Sequence, residues 1–239
     1  MPSFQQRSYQ KELLDRDDIP FEDIQQNMKE LEFINHFLGG HNITLKGLFS
    51  LVKNTDGKNI RISEIGCGGG DNLYAIKCWA EKNNKEISIS GIDINPECIS
   101  YARNKNKNKG IDFICSDYRD HDFDNKPDII FSSLFCHHFT NDQLVSMLKW
   151  MNENCTTGFF INDLHRHPVA FYSIKCLTRL FSKSYLVKND APLSVRRGFI
   201  KKDWNTLFMQ AGLAPFHCQW KWAFRWLVCY TKNGTTKSI

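Results

Sequence analysis

The chain has 239 residues, of which 41% are hydrophobic, 24% charged and 13% aromatic. This composition is ordinary for a globular protein, and a chain of this length can bury a core without disulfides or metal ions. No stretch approaches the roughly 20 apolar residues that a membrane-spanning helix needs, and the polar N-terminal stretch has no apolar signal-peptide core. Transmembrane, coiled-coil, collagen-like and intrinsically disordered classes are therefore excluded, and no export signal is expected.

Charge is distributed unevenly along the chain. The net charge is +5, but residues 1–163 carry −6 and residues 164–239 carry +11. A C-terminal third this basic indicates either an anionic partner or a solvated basic surface that aids solubility. Both interpretations stay open at this point.

The cysteines are numerous but scattered. There are nine of them, and no two are spaced as in a C-x-x-C pair. Structural zinc sites and thioredoxin-like motifs need such close pairs. Because no export signal is expected either, we predict reduced thiols in a cytoplasmic protein that has no metal site.

The N-terminal part is predicted to be a helical cap. Residues 1–53 are interpreted as helical because Leu31, Ile34, Phe37 and Leu38 recur at helical spacing. The pair Gly39-Gly40 is expected to end that run. We place the boundary of this cap after residue 57.

From residue 60 onward, short apolar strands alternate with helices. Strands are predicted at 60–65, 87–94, 111–115, 128–134 and 158–163, and helices at 72–82, 96–107 and 141–154. Asn95 and Thr140 are the expected N-caps of the last two helices. Such alternation is typical of a parallel sheet that is covered by helices on both faces.

The last third follows a different pattern. We predict an extra helix at 168–185, an irregular stretch at 186–199 broken at Asp190-Ala191-Pro192, and a helix at 201–211 that ends at Gly212. Segments 216–224 and 226–231 are expected to pair as antiparallel strands. Residues 58–239 are thus interpreted as one domain with a lid-like insertion at 168–199, and the whole chain as a single globular unit.

The most specific motif is the run Glu64-Ile65-Gly66-Cys67-Gly68-Gly69-Gly70-Asp71-Asn72 between a strand and a helix. Its glycines permit a close backbone approach to a ligand, and the helix N-terminus offers free N–H donors. Asp93 ends the next strand, where a carboxylate accepts from ribose hydroxyls. Asp117 follows the third strand and could accept from an adenine amino group. A dinucleotide loop would need glycine at position 71, so Asp71 disfavours NAD and FAD.

This E-x-G-x-G-x-G pattern, with acids after the second and third strands, resembles class I S-adenosylmethionine-dependent methyltransferases. The resemblance covers roughly residues 58–165 and 200–231. It implies an α/β fold, with a doubly wound, seven-stranded, mostly parallel Rossmann-like sheet whose last strand is antiparallel. It also implies that the cofactor S-adenosyl-L-methionine is held by Glu64, Gly66, Cys67, Gly68, Gly70, Asn72, Asp93, Ile94, Asp117, Tyr118 and Ser132.

The loop after the fourth strand indicates the class of methyl acceptor. Amino-methylating nucleic-acid enzymes of this family carry a [DNS]-P-P-[YFW] motif there, whereas residues 131–135 read FSSLF. The chain also lacks the Pro-Cys dipeptide of cytosine-C5 enzymes. The sequence that follows, FCHHF at 135–139, looks like the loop of small-molecule methyltransferases. His137 is the active-site candidate in it, and His138 is expected to pack structurally.

A second polar cluster ends the fifth strand. Asp163, His165 and His167 lie in the run NDLHRHP, and the carboxyl ends of parallel strands line the ligand crevice. Histidine titrates near neutral pH and suits removal of a proton from a hydroxyl. These side chains could instead cap the next helix, or bind a metal together. We predict His137 and His165 as the catalytic candidates.

The predicted function is methyl transfer to a small, aromatic acceptor of the phenol, quinol or polyketide type, with oxygen favoured over carbon. The runs at 163–167 and 190–197 look similar to quinone-biosynthesis and aromatic-polyketide tailoring methyltransferases. One alternative is an RNA or protein methyltransferase that uses the basic C-terminal third, although a nucleic-acid partner is not expected. The other is a cofactor-binding module without turnover. A transient contact between the helix at 168–185 and a membrane surface also stays open.

Overall fold

The computed structural model describes residues 3–16, 18–53 and 59–232. Within these residues there are eight α-helices and one sheet of seven strands. The helices are α1 (Phe21–Phe37), α2 (Gly40–Val52), α3 (Asp71–Lys82), α4 (Pro96–Asn104), α5 (Asn141–Asn154), α6 (Pro168–Phe181), α7 (Tyr185–Arg197) and α8 (Lys201–Ala211). The strands are β1 (Asn59–Ile65), β2 (Glu86–Asp93), β3 (Asp112–Cys115), β4 (Ile129–Ser133), β5 (Gly158–Leu164), β6 (His217–Lys221) and β7 (Arg225–Thr231).

The sheet has the strand order β3-β2-β1-β4-β5-β7-β6. Strands β1 to β5 pair in parallel, and β7 runs antiparallel to both β5 and β6. The winding direction reverses between β1 and β4, and in such sheets the ligand crevice opens at that point, beyond the carboxyl ends of the strands. The predicted doubly wound sheet with an antiparallel last strand is confirmed.

Two apolar layers cover the sheet, one on each face. Helices α2, α3 and α4 enclose one layer, in which Phe131 and Phe160 stack with ring centroids 4.9 Å apart. Helices α5 and α8 enclose the other, which includes the fully buried Trp204 and Phe208. Because both faces are buried, the polar chemistry of the domain is concentrated at the carboxyl edge of the sheet.

Several helix ends lie where local sequence signals predict them. The Asn95 side chain accepts from the backbone N–H groups of Glu97 and Cys98, and Pro96 occupies the first position of α4. Thr140 caps α5 within a capping box. Gly212 ends α8 with a φ of +72°, a conformation that favours glycine.

The predicted irregular stretch at 186–199 is wrong, because α7 covers most of it with Pro192 in its interior. A proline there removes one helical hydrogen bond and is ordinarily costly. Here Ser184 caps the helix by accepting from the backbone N–H of Val187, and α7 packs against α6 and α1. Burial of its apolar side chains outweighs the local cost of the proline, so tertiary packing overrides the local signal.

The N-terminal segment is less helical than predicted. A short 3₁₀ turn covers Leu13–Asp15 and α1 begins at Phe21, while residues 3–12 form neither helix nor strand. This segment is fixed by long-range contacts instead: Arg7 donates from Nε to the Arg197 carbonyl at 2.9 Å, and the Ser8 N–H donates to Arg196. The predicted boundary after residue 57 lies outside the described residues. Among those described, no helix is both long and apolar enough to cross a membrane.

Candidate active site

The loop after β1 turns sharply at three glycines. Gly66, Gly68 and Gly70 have φ values of +69°, +48° and +73°, in the left-handed region that favours glycine. A Cβ on Gly66 would lie 2.2 Å from the ring of Phe135, so the loop after β4 closes tightly against this turn. A Cβ on Gly68 would meet no protein atom within 4 Å. The Gly68 backbone therefore faces the open side of the crevice, where a ligand can approach it.

Asp93, at the end of β2, turns its carboxylate toward the glycine loop. One carboxylate oxygen accepts from the Gly68 N–H at 2.8 Å, and the other accepts from the Asn95 N–H at 2.9 Å. Burial raises the pKa of Asp93. The neighbouring Ile94 is 67% exposed. A carboxylate beside the loop and an exposed apolar side chain next to it suit the ribose and the purine of a nucleoside.

Asp117 follows β3 and begins a short 3₁₀ turn. Its carboxylate accepts from the backbone N–H and the guanidinium of Arg119, and this hydrogen bond lowers the pKa of Asp117. The Arg119 side chain is largely exposed, and such surface pairs contribute little free energy, so a ligand can displace it. Tyr118 is buried, with its ring edge against Trp150 at a centroid distance of 5.0 Å.

Cys67 and Ser132 are also predicted cofactor residues, and both side chains are buried. The Cys67 N–H donates to the Ile92 carbonyl at 3.2 Å, which fixes the start of the loop. The Ser132 hydroxyl lies 3.3 Å from the Cys136 thiol. Burial raises the pKa of both thiols, so they behave as small apolar side chains. All nine cysteines are free.

A buried polar chain connects Glu64 to β5. Glu64 accepts from the Asn72 amide at 3.2 Å, and Asn72 accepts from the Thr44 hydroxyl at 3.0 Å. The Asn162 amide then donates to the Thr44 and Ser133 hydroxyls. The second carboxyl oxygen of Glu64 is buried without a partner. Burial, with the nearby Asp71 charge, raises the pKa of Glu64 well above its ordinary value, so its neutral form is favoured.

His137 forms a pair with Asp163. Its Nδ1 lies 2.8 Å from a carboxylate oxygen of Asp163, and both side chains are buried. Burial opposes ionisation of Asp163, but His137 holds the pKa of that carboxyl below its usual range. The loop that carries His137 begins at Leu134, whose φ of +53° is unusual for a residue other than glycine. Backbone strain of this kind is frequent at functional sites.

Glu12 covers the other side of the His137 ring. A Glu12 oxygen lies 3.7 Å from the Nε2 of His137, and the other lies 3.9 Å from the Nε2 of His138. In the part of the chain that the structure describes, these three residues are the one group spaced to hold a metal ion. However, Ser194 donates to Glu12 at 2.7 Å and the Arg197 guanidinium lies 3.8 Å away. The carboxylate already faces a cation, so we assign no metal to it.

The two histidines after β5 have different partners. Nδ1 of His165 accepts from the indole N–H of Trp220 at 3.2 Å, and burial, with His167 and Arg166 nearby, lowers the pKa of His165 to about 4. Its Nε2 then carries the proton, so this neutral ring offers no free lone pair. His167 accepts from the Val169 N–H and caps α6, the capping role left open by the sequence. The sequence left open that Asp163, His165 and His167 bind a metal ion together. In the structure the Asp163 carboxylate contacts His137 instead.

Sequence reasoning missed a second polar group beside the glycine loop. Asp71 accepts from the Asn35 amide at 2.8 Å and lies 2.7 Å from Nε2 of His41. Burial opposes ionisation, yet His41 and Asn35 hold the pKa of Asp71 below its usual range. Arg225, at the start of β7, is buried close by. No local motif marks Asn35, His41 or Arg225, because the fold alone brings them together.

Comparison with known proteins agrees with this geometry. Residues 62–158 match the family model described as a methyltransferase domain, while no curated protein matches the chain. Similar solved structures include the plantazolicin methyltransferase BpumL with a triazolic desmethyl-plantazolicin analogue and S-adenosylhomocysteine (SAH), at TM-score 0.61, 17% identity and coverage of 83% of this chain and 72% of that one.

Two further structures have the same fold. Magnesium protoporphyrin IX methyltransferase from Synechocystis PCC 6803, with bound SAH, gives TM-score 0.54 and 13% identity over 81% of this chain and 83% of that one. Human N-acetylserotonin methyltransferase, in complex with S-adenosylmethionine (SAM), gives TM-score 0.59 and 19% identity over 90% of this chain and 56% of that one.

The sheet order is that of the class I, Rossmann-like methyltransferase fold, and residues 62–158, which carry the glycine loop and its two acids, match the methyltransferase domain model. The similar structures described above hold SAM or SAH, the cofactor that the sequence predicts for this chain. The open face of Gly68 and the carboxylate of Asp93 fit the nucleoside part of that cofactor. Which individual residues contact SAM stays a prediction.

Replacing Asp93 tests the ribose position. We expect Asp93→Ala to weaken SAH binding by about 1–3 kcal/mol, because hydrogen bonds to a charged carboxylate are lost. The measurement is calorimetric titration with SAH. Asp112→Ala, which removes an exposed carboxylate from the neighbouring strand β3, is the matched control and should bind as the parent does. Parent-like affinity in Asp93→Ala would place the ribose elsewhere.

Replacing Glu64 tests the neutral buried carboxyl. A pKa that is raised in the folded state makes the parent lose stability as pH rises from the ordinary glutamate pKa toward the folded value. The side chain in Glu64→Gln cannot ionise. The free energy of unfolding of the variant minus that of the parent should therefore increase as pH rises from about 5 to about 8. Urea denaturation at a series of pH values measures this difference. A difference that does not change with pH would contradict the neutral carboxyl.

Proposed function

We propose that this enzyme methylates a small aromatic acceptor at oxygen. Support comes first from the names of similar structures, whose acceptors are plantazolicin, magnesium protoporphyrin IX and N-acetylserotonin, all small molecules. The sequence after β4 adds to this, because it lacks the proline motif of enzymes that methylate bases at an amino group.

The His137–Asp163 pair is the observation that carries the choice of oxygen. SAM supplies a methyl group on a sulfonium, and a hydroxyl acceptor must lose a proton as it attacks. Asp163 holds the Nδ1 side of His137, which leaves the lone pair of Nε2 directed away from that bond. A carboxylate that orients a histidine in this way is the arrangement used for general bases. His165 has no free lone pair, so the geometry favours His137 of the two predicted bases.

In the proposal, the N-terminal segment controls access to this base. Glu12 lies over the His137 ring, and the His137 carbonyl accepts from the guanidinium groups of Arg7 and Arg197. An acceptor can reach Nε2 only if residues 3–16 move aside. Their return would exclude water from the methyl group and hold the acceptor in line with it.

Three arginines of the basic C-terminal third are not available to a nucleic acid. Arg166, Arg197 and Arg225 contribute to its +11 charge, and all three are buried. Arg166 donates to the Gly198 carbonyl and pairs with Asp203, so it serves the fold and not a surface. Phosphate binding would need such cations to be accessible. Lys175, Lys201 and Lys202 stay exposed on α6 and α8, so an RNA or protein substrate is kept as an outcome of the test.

Transfer of labelled methyl groups from SAM tests the acceptor class. The purified enzyme is incubated with fractionated small molecules, RNA and protein, and each fraction is counted. We expect label in a small-molecule fraction that contains phenols or quinols. The bond between the labelled methyl group and the acceptor should have the chemical stability of an aryl methyl ether. Label in RNA or protein would contradict the proposal. SAH binding without transfer to any fraction would instead indicate the module without turnover.

Substitution of the base tests the mechanism. We expect His137→Gln and Asp163→Asn each to lower kcat at least about 100-fold, with SAH affinity unchanged, because only the proton transfer is lost. His165→Gln is the matched control and should keep most of its turnover. With a phenol, the loss should shrink at high pH, where the acceptor ionises unaided. Near-parental turnover in both variants would show that positioning alone carries the catalysis.

A further inference from the structure

Arg225 is a buried cation that the fold leaves without a partner. It begins β7 opposite Leu164 of β5, and the residue is 3% exposed. Among the residues that the structure describes, no carboxylate lies within ion-pair distance of its guanidinium, and its Nη1 is buried without a hydrogen bond. Arg166 and Arg197, by contrast, each donate to several carbonyls. Arg225 therefore has a binding capacity that the folded chain does not use.

Burial alone does not neutralise this side chain. Burial lowers the pKa of Arg225 to about 10, while the charges of Asp163 and Asp71 act in the opposite direction. The guanidinium is still protonated at neutral pH. An uncompensated buried charge is costly to the folded state, and such groups are retained where they meet a ligand.

A second unpartnered group lies beside the first. A Cβ built on Gly40 would lie 3.1 Å from Nη1 of Arg225 and 1.6 Å from Oδ1 of Asn35. That oxygen is buried and has no hydrogen bond, while the amide nitrogen of Asn35 donates to Asp71. The Arg225 donor and the Asn35 acceptor thus lie beside the same residue, Gly40, which begins α2. Asn35 also contacts Asp71, the residue that begins α3.

These two groups define the chemistry of what they would bind. A guanidinium pairs best with a carboxylate, and an amide oxygen accepts from an ammonium or a hydroxyl. We propose that Arg225 binds a carboxylate, and that Asn35 accepts from an N–H or O–H donor next to it. This inference rests on the proposed function and adds to it a cationic side chain that binds a carboxylate of a ligand.

Two ligands of the reaction could carry this carboxylate. One is the α-amino carboxylate end of SAM, because Asn35 donates to Asp71, the residue that directly follows the glycine loop. The other is the acceptor, because Arg225 extends from β7, next to the strand that carries Asp163. The chemistry at Arg225 is the same in both cases, and separate binding experiments distinguish them.

The first experiment compares SAH with 5′-methylthioadenosine, which lacks the amino-acid end. The second compares benzoate with benzamide on the SAH-saturated protein. If the carboxylate belongs to the cofactor, Arg225→Met should bind SAH at least about tenfold more weakly and 5′-methylthioadenosine unchanged. If it belongs to the acceptor, Arg225→Met should lose benzoate binding and keep any benzamide binding. Arg225→Lys, which keeps the charge without the planar fork, should be intermediate.

Thermal denaturation separates binding from a structural role. Because Arg225→Met removes an uncompensated buried charge, its Tm should equal or exceed that of the parent. Arg179→Met, on the exposed face of α6, is the control for loss of a positive charge and should change neither binding nor Tm. If Arg225→Met fails to fold, binding of SAH, 5′-methylthioadenosine, benzoate and benzamide to Arg225→Lys is measured instead. Weaker binding of SAH or benzoate than in the parent would then support the proposal.

Parent-like binding of both carboxylate probes in the variants would overturn the proposal. Failure of the parent protein to bind SAH at all would instead overturn the proposed function, so the two failures are distinguishable. A lowered Tm with unchanged binding would show that Arg225 stabilises the fold and binds no ligand.

Discussion

Burial of polar side chains at the carboxyl edge of the sheet is the constraint on which the rest of the structure depends. Glu64, Ser133 and Asn162 lie within the last three residues of strands β1, β4 and β5, and all three side chains are buried. A buried polar group without a hydrogen bond is costly, so each end needs a partner from outside the sheet. Helix α2 supplies Thr44 to this layer. Helix α2 is therefore held over the carboxyl edge of the sheet, where the ligand crevice opens.

The same layer separates groups that hold the fold from groups that await a ligand. The Thr44 hydroxyl is satisfied within the chain by Asn72 and Asn162, whereas Oδ1 of Asn162 and one oxygen of Glu64 are buried without a partner. Oδ1 of Asn35 and Nη1 of Arg225 also have no hydrogen bond, and these two atoms lie beside the same glycine, Gly40. Native proteins leave few such groups, and they concentrate at functional sites. Buried polar atoms without hydrogen bonds lower the stability of the folded chain. A ligand that supplied the missing partners would restore that stability when it binds.

Local signals allowed the sheet, the glycine loop and several helix ends to be predicted from the sequence. Asn95 and Gly212 act through atoms a few residues away, so their effect can be seen in a short window. The helix through Pro192 and the absence of helix in residues 3–12 were missed because distant packing decides both. Arg225 was missed for the same reason, since its environment comes from α1 and α2 at the other end of the chain.

His137 and His165 show why residue type alone could not assign a base. Both follow neighbouring parallel strands, and the sequence offers no reason to prefer one. The difference lies in the partner at Nδ1: Asp163 accepts there and leaves the Nε2 lone pair free, whereas the Trp220 N–H donates there and places the proton on Nε2. One contact from another strand of the sheet thus makes the same side chain an acceptor or a donor toward substrate. The chemistry of each histidine is decided by the fold that supplies that contact.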